Sequence, residues 1–210
     1  MQKKAKGEYG YLAYHRKIET IKTILLFLVP LALFAAGILT TGTRKNLLTV
    51  VAVLGFLPAS KSAVLMIMYL KSHGISAADH TIVNSTISKV GGEVTEALVC
   101  LEDLVFTTSD VTYDVPALIL YGGSAFGYLA PEQIQKLRQK PDAAALISDL
   151  EKKLEKHLET SLKKEGLTVN VKIYDGVEPF TKRILELKVL EKAKDSPNKA
   201  IAGVLCDISL

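Results

Sequence analysis

"TILLFLVPLALFAAGILTTGTRKNLLTVVAVLGFLPASKSAVLMIMYL", residues 23–70, carries only three charges in its whole length: Arg44, Lys45 and Lys61. Between Lys22 and Arg44 lie 21 uncharged residues, and between Lys45 and Lys71 lie 25 residues interrupted only by Lys61. At ~1.5 Å per helical residue, either run reaches across the ~30 Å hydrocarbon core of a bilayer. The stretch reads as a transmembrane hairpin at 23–71, with spans at about 23–43 and 46–70 joined by the turn TGTRKN. Pro30 falls inside the first span, where membrane helices tolerate proline if neighbours take up the freed carbonyl, so a kink facing the second helix is expected. A cleaved signal peptide is the rival reading. It calls for a shorter leader and a shorter apolar run than these, with no second span directly behind.

Charge divides the chain at the end of this hairpin. Residues 1–71 hold ten Lys/Arg against two acids, and residues 72–210 hold 16 against 20. The basic character belongs to the anchor, and the mildly acidic remainder argues against a nucleic-acid surface, so no nucleic-acid partner is expected. Lys3, Lys4, Lys6, Arg16, Lys17 and Lys22 precede the first span, against two basic residues in the turn. The positive-inside bias therefore predicts a cell-membrane protein with a basic cytoplasmic leader at 1–22 and both termini cytoplasmic. Tyr9, Tyr11 and Tyr14 in that leader suit the membrane interface. Cys100 and Cys206 both sit in apolar settings and read as buried thiols.

Within the second span, "FLPASKSAVLM" (56–66) places Pro58, Ser60 and Lys61 where a lipid-facing helix has little use for them. An ionisable residue at that depth costs ~2.5–3.5 kcal/mol on insertion scales. Counted back from Lys71, Lys61 lies about 15 Å inside the span, beyond the reach of a snorkelling stem. Two readings follow: a water-filled break, or a lysine satisfied by packing within a helix pair.

Beyond Lys71 the pattern is that of one α+β domain, 72–210. Ser76 caps a helix whose apolar positions Val83, Ile87, Val90, Val94, Leu98 and Leu101 predict helix to about Glu102. Residues 104–108, 115–121 and 124–130 read as a three-stranded meander, with Pro116 at an edge or a strand start. A long helix begins behind Asp142 as its cap and ends at Gly166, and "LTVNVKIYD" alternates as a strand. Phe180, Ile184, Leu187 and Leu190 give another helix, and Ser196-Pro197 opens a short terminal one. The expected order is α-β-β-β-α-β-α-α: one sheet with helices packed on it.

Motifs for phosphate loops, dinucleotide binding, zinc proteases, paired cysteines and nucleophile elbows are missing, and no cofactor is implied. His73, Asp79 and His80 lie close in sequence, but no further cluster completes a metal set. Glu151, Glu155 and Glu159, interleaved with lysines on the long helix, read as a solvated face. The element order, together with "GGEVTEAL" (91–98), resembles the core of restriction-endonuclease-like nucleases. That resemblance implies a divalent metal held by Glu93, by Asp114 and by an acid-x-lysine on the third strand. Where the last should stand the chain reads Leu129-Ala130-Pro131, so Glu93 and Asp114 are at most catalytic candidates in a degenerate site.

"YGYLAYHRKIETIKTILLFL" (9–28) and "TGTRKNLLTVVAVLGFLPASKSAVLMIMYL" (41–70) resemble an uncharacterised family of bacterial two-span membrane proteins with a small cytoplasmic domain. Some of those carry a glycosyltransferase-like label. The resemblance implies the architecture and supplies no catalytic residues. The expectation is a membrane-tethered interaction or scaffolding module, its partners the lipid bilayer and either a second copy or another protein. A degenerate nuclease or other hydrolase, and an oligomeric membrane pathway using Lys61, are the alternatives.

Overall fold

The computed structural model describes residues 4–43, 46–90, 92–108, 110–187 and 197–210, including the backbone but not the side chains of Thr41 and Glu93. It is a mixed α+β protein with two long apolar N-terminal helices and a four-stranded mixed sheet. The chain resolves into two compact units, residues 12–72 and residues 4–11 together with 73–210.

The first unit is an antiparallel helix pair. Helix α1 runs Tyr11–Thr41 and α2 Leu47–Lys71, both long and apolar enough to cross a membrane. Asn46 caps α2 by accepting the Thr49 N–H at 2.8 Å, and its amide also donates to the Gly37 carbonyl of α1. Pro30 faces the second helix. A Cβ built on Gly55 would lie 3.1 Å from that of Pro30, so the glycine is what lets proline nest in the interface. Further along, Phe27 meets Phe56 and the buried hydroxyls of Thr23 and Ser62 pair at 2.8 Å. At the far end Arg16 donates to the carbonyls of Tyr69 and Ser72, closing the C-terminus of α2 with a cation where the helix dipole favours one.

The second unit is a sheet of order β1-β2-β3-β4: Val99–Thr107, Thr112–Tyr121, Ser124–Tyr128 and Asn170–Tyr174. The first three strands are an antiparallel meander and β4 pairs parallel with β3. One face is covered by α6 (Ala143–Lys164) and α8 (Asn198–Ile208) over a core including Phe106, Leu118, Leu120, Leu158 and Ile201. The other is covered by α3 (Ala77–Lys89) and α7 (Val177–Leu185) over Ile119, Tyr128 and Phe180. Short helices α4 (Gly92–Ala97) and α5 (Pro131–Arg138) complete the order. Helix α6 ends in a Schellman motif: Gly166 has φ +76° and the Leu167 N–H donates to the Leu162 carbonyl.

Three expectations change. The apolar stripe from Val83 does not continue as one helix to Glu102, because α3 stops at Lys89 and β1 has begun by Val99. Its residues still bury, which is why a helical period seemed to survive the change of element. Asp142 precedes α6 but makes no side-chain cap. Pro116 lies well inside β2, opposite Asp103 of β1, at a point where the register steps from Glu102↔Ala117 to Leu104↔Val115. Leu190 and Ser196 lie outside the described residues.

The Asp103–Pro116 position is where both strands change phase. Leu101 and Leu118 face the α6–α8 core, and so do Leu104 and Val115, three residues on instead of two. Because both strands slip together, pairing is preserved while each side chain swaps face. Asp103 takes φ +56°, a conformation that aspartate tolerates better than most residues, and Pro116 brings no N–H that the distorted pair must satisfy. The buried Asp103 carboxylate then accepts the Gly10 N–H through Oδ2 and the Ile75 N–H through Oδ1, each at 2.8 Å. A Cβ at Gly74 would collide with the same carboxylate.

Replacing Asp103 with alanine strips two buried N–H groups of a charged acceptor. Hydrogen bonds to charged groups contribute ~1.5–3 kcal/mol each, so denaturant unfolding of the full chain should show the sheet unit weakened by about 3 kcal/mol. Asp103→Asn, which keeps one acceptor oxygen and turns an NH2 toward the other N–H, should lose at least half of that. Losses below ~1 kcal/mol from both substitutions would mean that the carboxylate does not hold these segments.

Candidate functional site

Residues 4–10 and 73–80 converge on the first two strands, where the side chains of Glu102, Asp103 and Asp114 meet them. The Gly7 backbone bridges to Glu102, whose N–H donates to the Gly7 carbonyl at 2.9 Å, so the leader covers part of the outer edge of β1. Farther along the same edge Ser209 bridges to Phe106 and the Leu210 N–H donates to the Val105 carbonyl. Lys6 fastens the two chain ends, its ammonium donating to the carbonyls of Cys206 and Ser209 at 3.1 and 2.8 Å. An edge strand that would otherwise invite pairing with another chain is thereby occupied.

The sequence-derived residues can now be located. Asp114 sits on β2 with its carboxylate buried. Its Oδ2 accepts the His73 N–H at 3.0 Å and lies 3.4 Å from the His73 ring Nδ1. The Asp114 backbone is held too, its N–H donating to Gln133 Oε1 and its carbonyl accepting from the Ala130 N–H. His80 does not join His73. Its Nδ1 is 2.8 Å from Glu102 Oε1, its Nε2 is 3.0 Å from the Asn84 amide, and the Tyr9 ring stacks on it at 3.9 Å. The two histidines thus serve two different carboxylates, and no group of three or more metal-ligating side chains forms among the described residues. Glu93 lies on α4, and its side chain is outside the described residues. Leu129 and Ala130, which directly follow β3, are completely buried.

Sequence reading singled out Asp114 and both histidines, missed Glu102 and Asp103 at this site, and gave Tyr9 to the membrane interface, whereas its ring stacks on His80. A signal was present: "LEDLVF" puts two adjacent acids inside an apolar run, which a strand buried on both faces accepts only if both find donors.

Beneath α3 the polar groups become more enclosed. The Tyr128 hydroxyl is buried close to Asp79, and burial first, then the Asp79 carboxylate, pushes its ionisation well above the ordinary phenol range. The Cys100 thiol is pushed up to about 12, again mainly by burial and then by Glu102. Such a thiol is inert as a nucleophile near neutral pH.

In the helical unit, α2 is continuous through Pro58, and the Ser60 hydroxyl donates to the Phe56 carbonyl one turn earlier at 2.8 Å. Lys61 is exposed on α2, one residue before Ser62. An apolar hollow of about 500 Å³ runs along one side of the pair, between Phe27, Leu31, Phe56 and Met66.

Two polar concavities of the sheet unit lie where β3 and β4 end. The helices that follow these two parallel strands leave to opposite faces, with Ile134 of α5 in one core and Phe180 of α7 in the other. In open α/β sheets such a divergence is where ligands bind. Hollows of about 560 and 510 Å³ meet there across the Arg138–Asp175 ion pair, 3.5 Å long and open to solvent.

No protein family, curated protein or solved structure matches this chain.

The two cysteines should separate by reactivity. Burial also raises Cys206, with Lys6 pulling the other way. In native protein at pH 8, maleimide should therefore label Cys206 well before Cys100, and denaturant should equalise them. Since the folded Cys100 thiol holds its proton to higher pH than the unfolded one, its stabilising contribution is full below pH 9 and is lost as pH rises toward about 12. Cys100→Ala should flatten that alkaline slope in an unfolding series.

Proposed function

We propose that this chain is an integral membrane protein of the cell membrane, anchored by its helical hairpin with both termini cytoplasmic, whose α+β unit is a non-catalytic interaction module. The fold of that unit is read as a relative of the restriction-endonuclease-like core that has given up its metal. The observation that carries the reading is the fate of the carboxylates. Asp114 and Asp103 are spent on the backbone of the segments at His73, Ile75 and Gly10, and Glu102 is spent on His80. A metal-dependent nuclease needs carboxylates free to converge on an ion and a lysine or its equivalent to activate water. Here the third strand, Ser124–Tyr128, carries neither an acid nor a lysine, and Leu129 and Ala130 follow it.

For a partner, the crevice beyond β3 and β4 offers a guanidinium, Asp175 and Glu178 around an apolar floor of Ile134, Val177 and Pro179. Such a surface suits a polar segment of another protein better than a phosphate backbone, in keeping with the acidic balance of residues 72–210. The two span-length helices and the basic residues ahead of the first support the anchor and its orientation.

Two measurements test this. Purified full-length protein with magnesium or manganese should leave DNA and RNA uncut; cleavage lost on Asp114→Ala would overturn the non-catalytic reading. In sealed inverted and right-side-out vesicles, with Cys100 and Cys206 replaced by alanine, Ala78→Cys, at an exposed position, should label only from the cytoplasmic side and Thr43→Cys only from the other. The reverse pattern would invert the topology.

A further inference from the structure

Lys61 looked deep when counted along its own helix, but its partner helix sets a different scale. Going down α1 and up α2, the contacts run Gly37 with Asn46, Pro30 with Gly55, Phe27 with Phe56, Thr23 with Ser62 and Arg16 with Tyr69. Each step along one helix is matched by one along the other. Lys61 therefore stands level with Ile24, two residues, or ~3 Å, from the level of Lys22. From Ile24 to Thr41 the first helix is free of charge for ~27 Å, a full hydrocarbon thickness. The last third of α2 pairs with the basic first third of α1, so Lys61 marks the same boundary that Lys22 marks.

The two lysines also share a side. In an antiparallel pair, the residues immediately before two facing partners project to the same side, and those immediately after project to the other. Ile24 and Ala63, which follow the Thr23–Ser62 contact, both line the apolar hollow. Lys22 and Lys61, which precede it, lie opposite. Glu19 is the only acid in residues 12–72, and it pairs with Lys22 at 3.2 Å. Arg16 is occupied by the helix-end carbonyls. No carboxylate in this unit remains for Lys61.

We propose that Lys61 and Lys22 jointly hold the phosphate of an anionic phospholipid at the cytoplasmic edge of the hydrocarbon layer, on the side of the hairpin away from the apolar hollow. Two ammonium groups at one depth match a headgroup phosphate, and the short remaining distance lies within the reach of a lysine stem. The site rests on the reading that the hairpin spans the membrane.

The test uses the full chain in phosphatidylcholine vesicles with and without phosphatidylglycerol. A fluorophore on single cysteines at positions 22, 28, 31 and 61 reports depth through quenchers placed along the lipid chain. Positions 22 and 61 should quench alike and shallowly, and 28 and 31 deeply. Enrichment of phosphatidylglycerol in co-purifying lipid should fall about fivefold for Lys61→Gln and for Lys22→Gln. The double variant should lose far less than the product of the two, because one phosphate is shared, whereas Lys17→Gln combined with Lys61→Gln should be multiplicative. Deep quenching at 61, or a multiplicative loss for the 22/61 pair, overturns the lipid site and leaves the hairpin intact. Shallow quenching at 28 and 31 overturns the spanning reading, and the lipid site with it.

Discussion

The carboxylate of Asp103 receives two backbone N–H groups, from Gly10 and Ile75, and much of the sheet unit follows from that double acceptance. These are the segments by which the chain leaves this unit and returns to it around residues 12–72. A buried charge is costly unless satisfied, so an aspartate at this place fixes both segments or destabilises the strand that carries it. Its left-handed backbone sets the phase change of β1, and Pro116 lets β2 make the same change without stranding a donor.

The same constraint governs how the neighbouring carboxylates are used. Glu102, Asp103 and Asp114 lie near one another in the fold, and in a different setting three acids could gather an ion. Here each has a neutral or basic partner from the leader, from α3 or from the His73–Ile75 stretch. The same partners seal the β1 edge, where the leader and the C-terminus each add a bridge. In their hydrogen bonding these acids tie the leader, α3 and the His73–Ile75 stretch to the first two strands.

The helical unit applies similar economy in an apolar setting. Glycine opposite proline, paired hydroxyls and an arginine on the last carbonyls give close contact without a hydrophobic driving force. The Thr23–Ser62 pair also fixes the register, and register is what converts a lysine numbered deep in α2 into one level with the start of the apolar run in α1.

The sequence by itself determined the two span-length helices, the long helix capped at Gly166 and the alternating strand that ends at Tyr174. Each rests on a local cause: uninterrupted apolar length, a period near 3.6 closed by glycine, a period of two. Only the tertiary structure decided where α3 gives way to β1, since Val90, Val94 and Leu98 keep a helical spacing and pack into the core across the change of element. It alone assigned His73 and His80 to separate carboxylates, for partners from distant segments leave no periodic trace. It alone gave Lys61 its level as well, because depth in a helix pair is a property of two chains in register, and one helix read singly has no ruler.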